Sequence, residues 1–286
     1  MYSHEIINDK DVFIVRDHHH ALLPWSIVRT KHEKAPILIS LDHHTDSRPA
    51  YLNHMFHVHG EDNVNNEALR VQLASELDYS EENSVKAAIQ KLRHDEHIHA
   101  ATLSDVISIA FVIQLMDNTG TDSEEHKQYM EDRFGDGFPW NDDVEEPKPP
   151  FTFKVPNNRI FIIPTLCLPW CERMPHNDDC QKVLYDSVLE NAFLDEKIRK
   201  GNEMAVFANI EDIEKQSYIL DIDLDYFHTR KAVEPNAIEI FSRLVRNASA
   251  ITIALEPSCV EKLAIEGENL SSEYLLEKIK GHIAYA

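Results

Sequence analysis

Positive charge is scarce in this chain. Its 286 residues hold 28 Lys and Arg against 50 Asp and Glu, a formal net charge of −22. A polyanion needs basic surface, so nucleic acid is not an expected partner, and a cationic substrate is the more natural guest. Long apolar runs are also missing. No segment reaches the roughly 18–20 apolar residues that span a bilayer, so no membrane contact is expected. The longest apolar-rich stretch, Val106–Met116, reads as a buried helix. The opening segment Met1–Val15 is too polar, and its apolar run too short, for a secretory signal. Cysteines are few, and Cys167, Cys171, Cys180 and Cys259 fit neither a Cys-x-x-Cys zinc pattern nor a small disulfide scaffold. Reduced thiols in a cytoplasmic protein are expected, with a Cys171–Cys180 disulfide as the alternative. No internal repeat is visible.

What the chain does hold is enough for a folded core. With 43% hydrophobic residues it suits one large α/β domain or two small ones. Val12–Val15, Pro36–Leu41, Arg159–Pro164, Tyr218–Asp223 and Ala250–Leu255 read as strands. Helical spacing covers Ala21–Arg29, with Pro24 in its first turn, and Asn66–Leu77. It also covers Ser84–Arg93, with Asn83 or Ser84 as N-cap, and Gln181–Lys200, closed by Gly201. Glu234–Asn247 and Ser272–Ala284 complete the helices, and Thr102 or Ser104 would cap the one over Val106–Met116. Strands alternating with helices predict a mainly parallel sheet covered on both faces, a three-layer α-β-α arrangement. Residues 117–150 break the pattern, with eleven acidic and three basic residues leading into Glu-Glu-Pro-Lys-Pro-Pro. They read as a long surface excursion, or as a lid over a basic substrate.

Three clusters of potential ligands follow strands. In Asp42-His43-His44-Thr45-Asp46, residues 42, 44 and 46 share one side of an extended chain, while His43 points the other way. In Asp221-Ile222-Asp223-Leu224-Asp225, three carboxylates share a face, and they repel one another unless cations neutralise them. The flanking apolar residues imply burial and argue against a solvated edge. Asp17-His18-His19-His20 follows Val12–Val15. Strand ends of open α/β sheets are where such sites lie. A carboxylate-rich donor set with some imidazole suits a pair of Mn²⁺ ions, although zinc or iron remains compatible with the ligand types. Two metals together can deprotonate a water near neutral pH.

These stretches resemble the arginase–deacetylase superfamily. Leu41–Asp46 (LDHHTD) is similar to its DAHxD motif, and Leu220–His228 (LDIDLDYFH) to the ureohydrolase strand that reads SIDIDVLDP. Arg16–His20 (RDHHH) is similar to GGDHS, and Thr252–Pro257 (TIALEP) to the late strand that presents a glutamate. The motifs occur in the family's order. The paired histidines before Leu22–Trp25 (LLPW), and DIDLDYF in place of DxDxxDP, look like the subfamily that includes peptide arginases.

The resemblance implies an arginase-like catalytic domain over 1–286 and two Mn²⁺ ions. It implies hydrolysis of arginine to ornithine and urea in a ribosomally made precursor peptide, or of free arginine or agmatine. A non-catalytic, metal-containing binding module is the alternative of a different class. Carried across, Asp42 bridges the metals, His44 and Asp46 bind one each, and Asp223 and Asp225 serve from the later strand. A register using Asp221 and Asp223 is the alternative. His18 is the remaining ligand, with His19 in reserve. Glu256 would pair with a guanidinium through two charge-assisted hydrogen bonds, and Asp46 or a histidine would deliver a proton. His59, in a His-Gly pair, and His99 are the histidine candidates. The resemblance gives Trp140 and Trp170 no role, and packing is their expected one.

Overall fold

In a computed structural model, the described residues are 1–60, 67–115, 155–156, 158–165 and 184–286, the side chain at 59 excepted. The acidic excursion, Trp140, Trp170, Cys167, Cys171, Cys180 and the start of the helix expected from Gln181 lie outside them. Seven strands form one sheet among the described residues: β1 (Tyr2–Ile7), β2 (Lys10–Val15), β3 (Ile37–Asp42), β4 (Ala110–Leu115), β5 (Ile160–Thr165), β6 (Tyr218–Asp223) and β7 (Ala250–Ala254). Their order is β1-β2-β7-β6-β3-β4-β5. Every pairing is parallel except that of β1 with β2.

Helices cover both faces, as the alternation of elements predicts. One face packs Ile37, Ile39, Leu41, Leu220 and Ile222 against helices Asn191–Ala205, Glu239–Asn247, Pro257–Leu263 and Ser272–Ala284. The other packs Leu38, Val112, Ile219 and Ala250 against Leu22–Thr30, Leu52–His59, Glu67–Ser75, Glu82–Ile89 and His97–Leu103. The period of two along β3 and β6 decides which side chains meet which layer. Ser40, Asp42, Asp221 and Asp223 fall on the same side as Leu38 and Ile219. Across the strands, Ser40 is in register with Asp221, and Asp221 with Thr252, so a row of polar groups crosses the centre of the sheet.

The chain leaves β3 toward β4 on one side and leaves β6 toward β7 on the other. Because β3 and β6 are neighbours, their outgoing connections diverge and open a crevice at their carboxyl ends. Among the described residues, no helix is long and apolar enough to cross a membrane.

Several expectations need correction. Val106–Met116 contains β4, not a helix. Ala110–Leu115 lies between β3 and β5, and a strand buried on both faces lacks the alternation that separates it from a buried helix. The helix in this region is His97–Leu103, which Ser104 ends rather than starts. Gly201 lies within its helix, where an added Cβ would meet Ile213 Cδ1 at 3.0 Å and Ile163 Cδ1 at 3.2 Å, so glycine there allows close approach to β5. The helix expected from Ser84 starts at Glu82, and the Ser84 hydroxyl instead accepts from the Asp78 amide at 2.9 Å. Strand β1 carries no buried alternation in the sequence, because most of its residues are exposed. Its cue is Asn8-Asp9, both left-handed (φ 48° and 59°), the two-residue turn that suits a hairpin.

Candidate metal centre

Four parallel strands deliver the site. At the end of β2 the chain turns through the 3₁₀ segment His18–Ala21, and His18 enters the protein with 1% exposure. Strand β3 ends at Asp42, where the amide of His44 donates to Asp42 Oδ1 at 2.6 Å and folds the chain back. Asp42, His44 and Asp46 therefore converge through a turn, not along an extended strand, and Asp46 takes a left-handed backbone (φ 43°). Strand β6 ends at Asp223, which accepts the amide of Asp225 at 3.2 Å to start a 3₁₀ turn. Glu256 follows β7 with φ 34° and precedes Pro257. Two acidic residues of this region thus sit in backbone that glycine favours, a strain that clusters at functional sites.

The side chains meet closely. His18 Nδ1 lies 2.9 Å from Asp46 Oδ2, 3.0 Å from Asp223 Oδ2 and 3.6 Å from Asp42 Oδ2. His44 Nδ1 lies 3.1 Å from Asp225 Oδ2 and 3.9 Å from Asp42 Oδ1. Donor atoms of His18, Asp42, Asp46 and Asp223 all fall within 4.8 Å of one another, and so do those of Asp42, His44 and Asp225. Asp42 belongs to both groups and turns one oxygen to each imidazole. His19 and Asp221 belong to neither.

Asp221 stands behind His18. It accepts from His18 Nε2 at 2.8 Å, from Ser40 Oγ at 2.8 Å and from the Thr252 hydroxyl. Thr252 in turn accepts from Trp25 Nε1 at 3.1 Å. In the neutral form that keeps its proton on Nε2, His18 would turn the Nδ1 lone pair into the space among Asp42, Asp46 and Asp223. Metal-binding histidines are commonly held this way.

The electrostatics of the cluster favour a cation. Burial, with repulsion from Asp46, pushes the Asp42 carboxyl well above the usual range. Burial and repulsion from Asp225 push Asp223 up to about 8. Burial opposes protonation of His18, but Asp221 and Asp223 overcome it and hold the imidazole well above its ordinary value. Asp42 Oδ2 and Asp225 Oδ1 are buried and accept no hydrogen bond. Oxygen and imidazole donors packed this densely fit divalent cations, which would relieve the repulsion and bind those carboxylate oxygens.

An open cleft of about 870 Å³ leads to the cluster, and its lining includes His44, Asp46, Asp223, Asp225 and Glu256. Glu256 Oε1 accepts the His18 amide at 2.7 Å, and the Cys259 thiol lies 3.8 Å from Oε2. His99 does not line this cleft. Its Nδ1 accepts the Ala50 amide at 2.9 Å. The side chain of His59 lies outside the described residues. His43 is buried and belongs to neither ligand group, although its ring lies 4.8 Å from that of His44 and 4.7 Å from that of His228.

His97 is a member of the centre that spacing alone did not single out. It is fully buried, its ring 4.4 Å from that of His18 and its Nδ1 3.8 Å from Asp46 Oδ2. Nδ1 donates to the His94 carbonyl at 3.0 Å. Its signal was position alone, a histidine opening a helix beside a strand.

No family model matches the chain, and no curated protein matches it. Among solved structures, the chain is similar to proclavaminate amidino hydrolase from Streptomyces clavuligerus, at 10% identity and a TM-score of 0.40. The match covers 96% of this chain and 63% of that one, so the chain spans less than two thirds of that protein's length.

Proposed function

We propose that this chain is a hydrolase of guanidinium groups, of the arginase type, working with two divalent cations. Mn²⁺ suits the donor set best. The carrying observation is the sharing of Asp42 between two adjacent ligand groups at the crevice where β3 and β6 diverge. We assign His18, Asp42, Asp46 and Asp223 to one cation, and Asp42, His44 and Asp225 to the other. When bound, such a pair supplies a water deprotonated near neutral pH and compensates the buried carboxylates.

The chain's own residues do the rest. Asp221 holds His18 in the tautomer that leaves Nδ1 free. Glu256 faces the cleft and receives the guanidinium, while its hydrogen bond from the His18 amide fixes its direction. Asp46, at the cleft wall, passes a proton to the departing amine. The overall change adds one water, breaks the bond between the side-chain nitrogen and the guanidinium carbon, and yields urea and an ammonium group.

We propose further that the guanidinium belongs to an arginine within a ribosomally made peptide, converted to ornithine in the cytoplasm. Support comes from the open cleft and from the net charge of −22, which favours a cationic chain over an anionic one. The test combines metal analysis of the purified protein with urea release and mass spectrometry. Loss of CN₂H₂ per arginine from a peptide, with free arginine untouched, supports the peptide substrate. Conversion of free arginine or agmatine alone supports a small-molecule ureohydrolase. No urea from any of them, with metal bound, overturns the hydrolase and favours a binding module.

A further inference from the structure

Residues 43–51 form neither helix nor strand, yet they carry His44 and Asp46. Such a segment has no ladder of its own to satisfy its amides. It also holds two non-glycine residues in left-handed backbone, Asp46 (φ 43°) and Tyr51 (φ 61°), each disfavoured by about 1–2 kcal/mol. Its shape must be imposed from outside.

The stretch 94–99 supplies the mould. The Arg48 amide donates to the Asp95 carbonyl at 2.9 Å, and Arg48 Nε lies 3.1 Å from Asp95 Oδ2. The Ala50 amide donates to His99 Nδ1 at 2.9 Å. The Asn53 amide donates to Glu96 Oε1 at 3.1 Å, while Glu96 Oε2 accepts the Arg93 amide at 3.2 Å and closes its own turn. Glu96 is 2% exposed. Burial, with the nearby Arg70 charge, pushes His99 down to about 4, so it stays neutral and keeps an acceptor at Nδ1 near neutral pH.

We infer that Glu96 and His99 are positioning residues, a latch that fixes segment 43–53 so that His44 and Asp46 reach Asp42 and Asp225. His99 then acts through the Ala50 amide and touches neither substrate nor the transferred proton. The geometry of the latch is independent of the proposed reaction, while its consequence rests on the metal centre.

Two measurements test it. Hydrogen exchange of the unaltered, metal-free protein should find the Ala50 amide protected like those of the neighbouring strands. Exchange there at the rate of an open loop overturns the latch. Mn²⁺ titration should find affinity about ten- to hundredfold weaker in His99→Leu, the loss typical when an outer-shell partner is removed. His99→Asn places Oδ1 near the position of Nδ1 and should restore most of that affinity and the protection of Ala50. Unchanged affinity in His99→Leu overturns the latch. Should that variant fail to fold, Glu96→Gln, which turns one of two acceptor oxygens into a donor, should speed exchange at the amides that Glu96 holds, Asn53 or Arg93, and parental exchange at both overturns the latch. A chain that binds no divalent cation overturns the metal centre, and the exchange data still decide the latch.

Discussion

Asp221→Asn separates a metal-orienting role from a merely structural one. Asp221 is 0% exposed and accepts from His18 Nε2, Ser40 Oγ and Thr252 Oγ1. Asparagine keeps the volume and one oxygen. It removes the negative charge and turns the second oxygen into a donor facing groups that also donate. Weakening a charge-assisted bond to a buried imidazole corresponds to about 1.5–3 kcal/mol. Loss of an outer-shell partner of a metal-binding histidine typically weakens affinity ten- to hundredfold, about 1.4–2.8 kcal/mol. The two estimates agree, so Mn²⁺ affinity should fall by that factor in a calorimetric titration. The metal-free protein should respond differently. Asp42, Asp46, Asp221 and Asp223 crowd around one imidazole, so removing one anion relieves repulsion while it weakens a hydrogen bond. The melting temperature of chelator-treated protein should therefore move by less than about 4 °C, the shift of roughly 1 kcal/mol in a domain of this size. Unchanged metal affinity with a large fall in metal-free stability would refute the assignment and make Asp221 a structural group only.

Metal affinity should depend on pH through His44 as well as through the raised Asp223. Burial opposes protonation of the His44 imidazole, but the hydrogen bond to Asp225 raises it to about 9. In the metal-free protein this pair is stabilising below the unfolded histidine value and is lost as pH rises through about 9. A cation needs the neutral ring, so affinity should rise from pH 7 toward 9, with protons released in calorimetry across different buffers, and a flat profile would exclude His44 as a ligand. Lys197 makes the opposite case: burial, with the charge of Lys200, lowers it to about 8 while Nζ donates to the Pro164 carbonyl. A depressed lysine penalises the folded state fully below about 8, and the penalty fades as pH approaches the unfolded value of about 10.4. Relative to the parent, Lys197→Met should thus gain more stability near pH 7 than near pH 10, by on the order of 3 kcal/mol in denaturant titrations, and an equal difference at both would contradict the burial argument. Gly201→Ala should be within about 1 kcal/mol of neutral, because better helix propensity offsets contact with two movable isoleucine ends. A loss well beyond that would indicate rigid packing against β5.

The sequence made the centre legible where chemistry and periodicity coincide. Asp42 and Asp223 end buried strands, and alternation alone sends both toward one face. The convergence of Asp46 was legible by residue type but not by geometry, since an Asx-type turn at Asp42, not an extended chain, brings it in. Asp221 was ambiguous in one dimension, because alternation cannot say which of two same-face carboxylates meets the neighbouring strand's hydroxyls. The registers with Ser40 and Thr252 resolve that. His99 and His97 share one short helix, and nothing local says which turns to the centre and which to the Ala50 amide. Strand β4 is not legible as a strand for a general reason: burial on both sides erases the period that would reveal it.

The order of the sheet also bears on how the chain acquires its shape during synthesis. Strands β6 and β7 are made last, yet they occupy the middle, between β2 and β3. Until they emerge, the facing edges of β2 and β3 stand open, each with a row of unpaired amides and carbonyls. The nascent chain must keep those edges from closing on each other or on a neighbouring molecule. Pairings of such long sequence separation form slowly. On the proposed assignment, Asp223 and Asp225 arrive with β6, so metal retention would report that the central strands have been inserted.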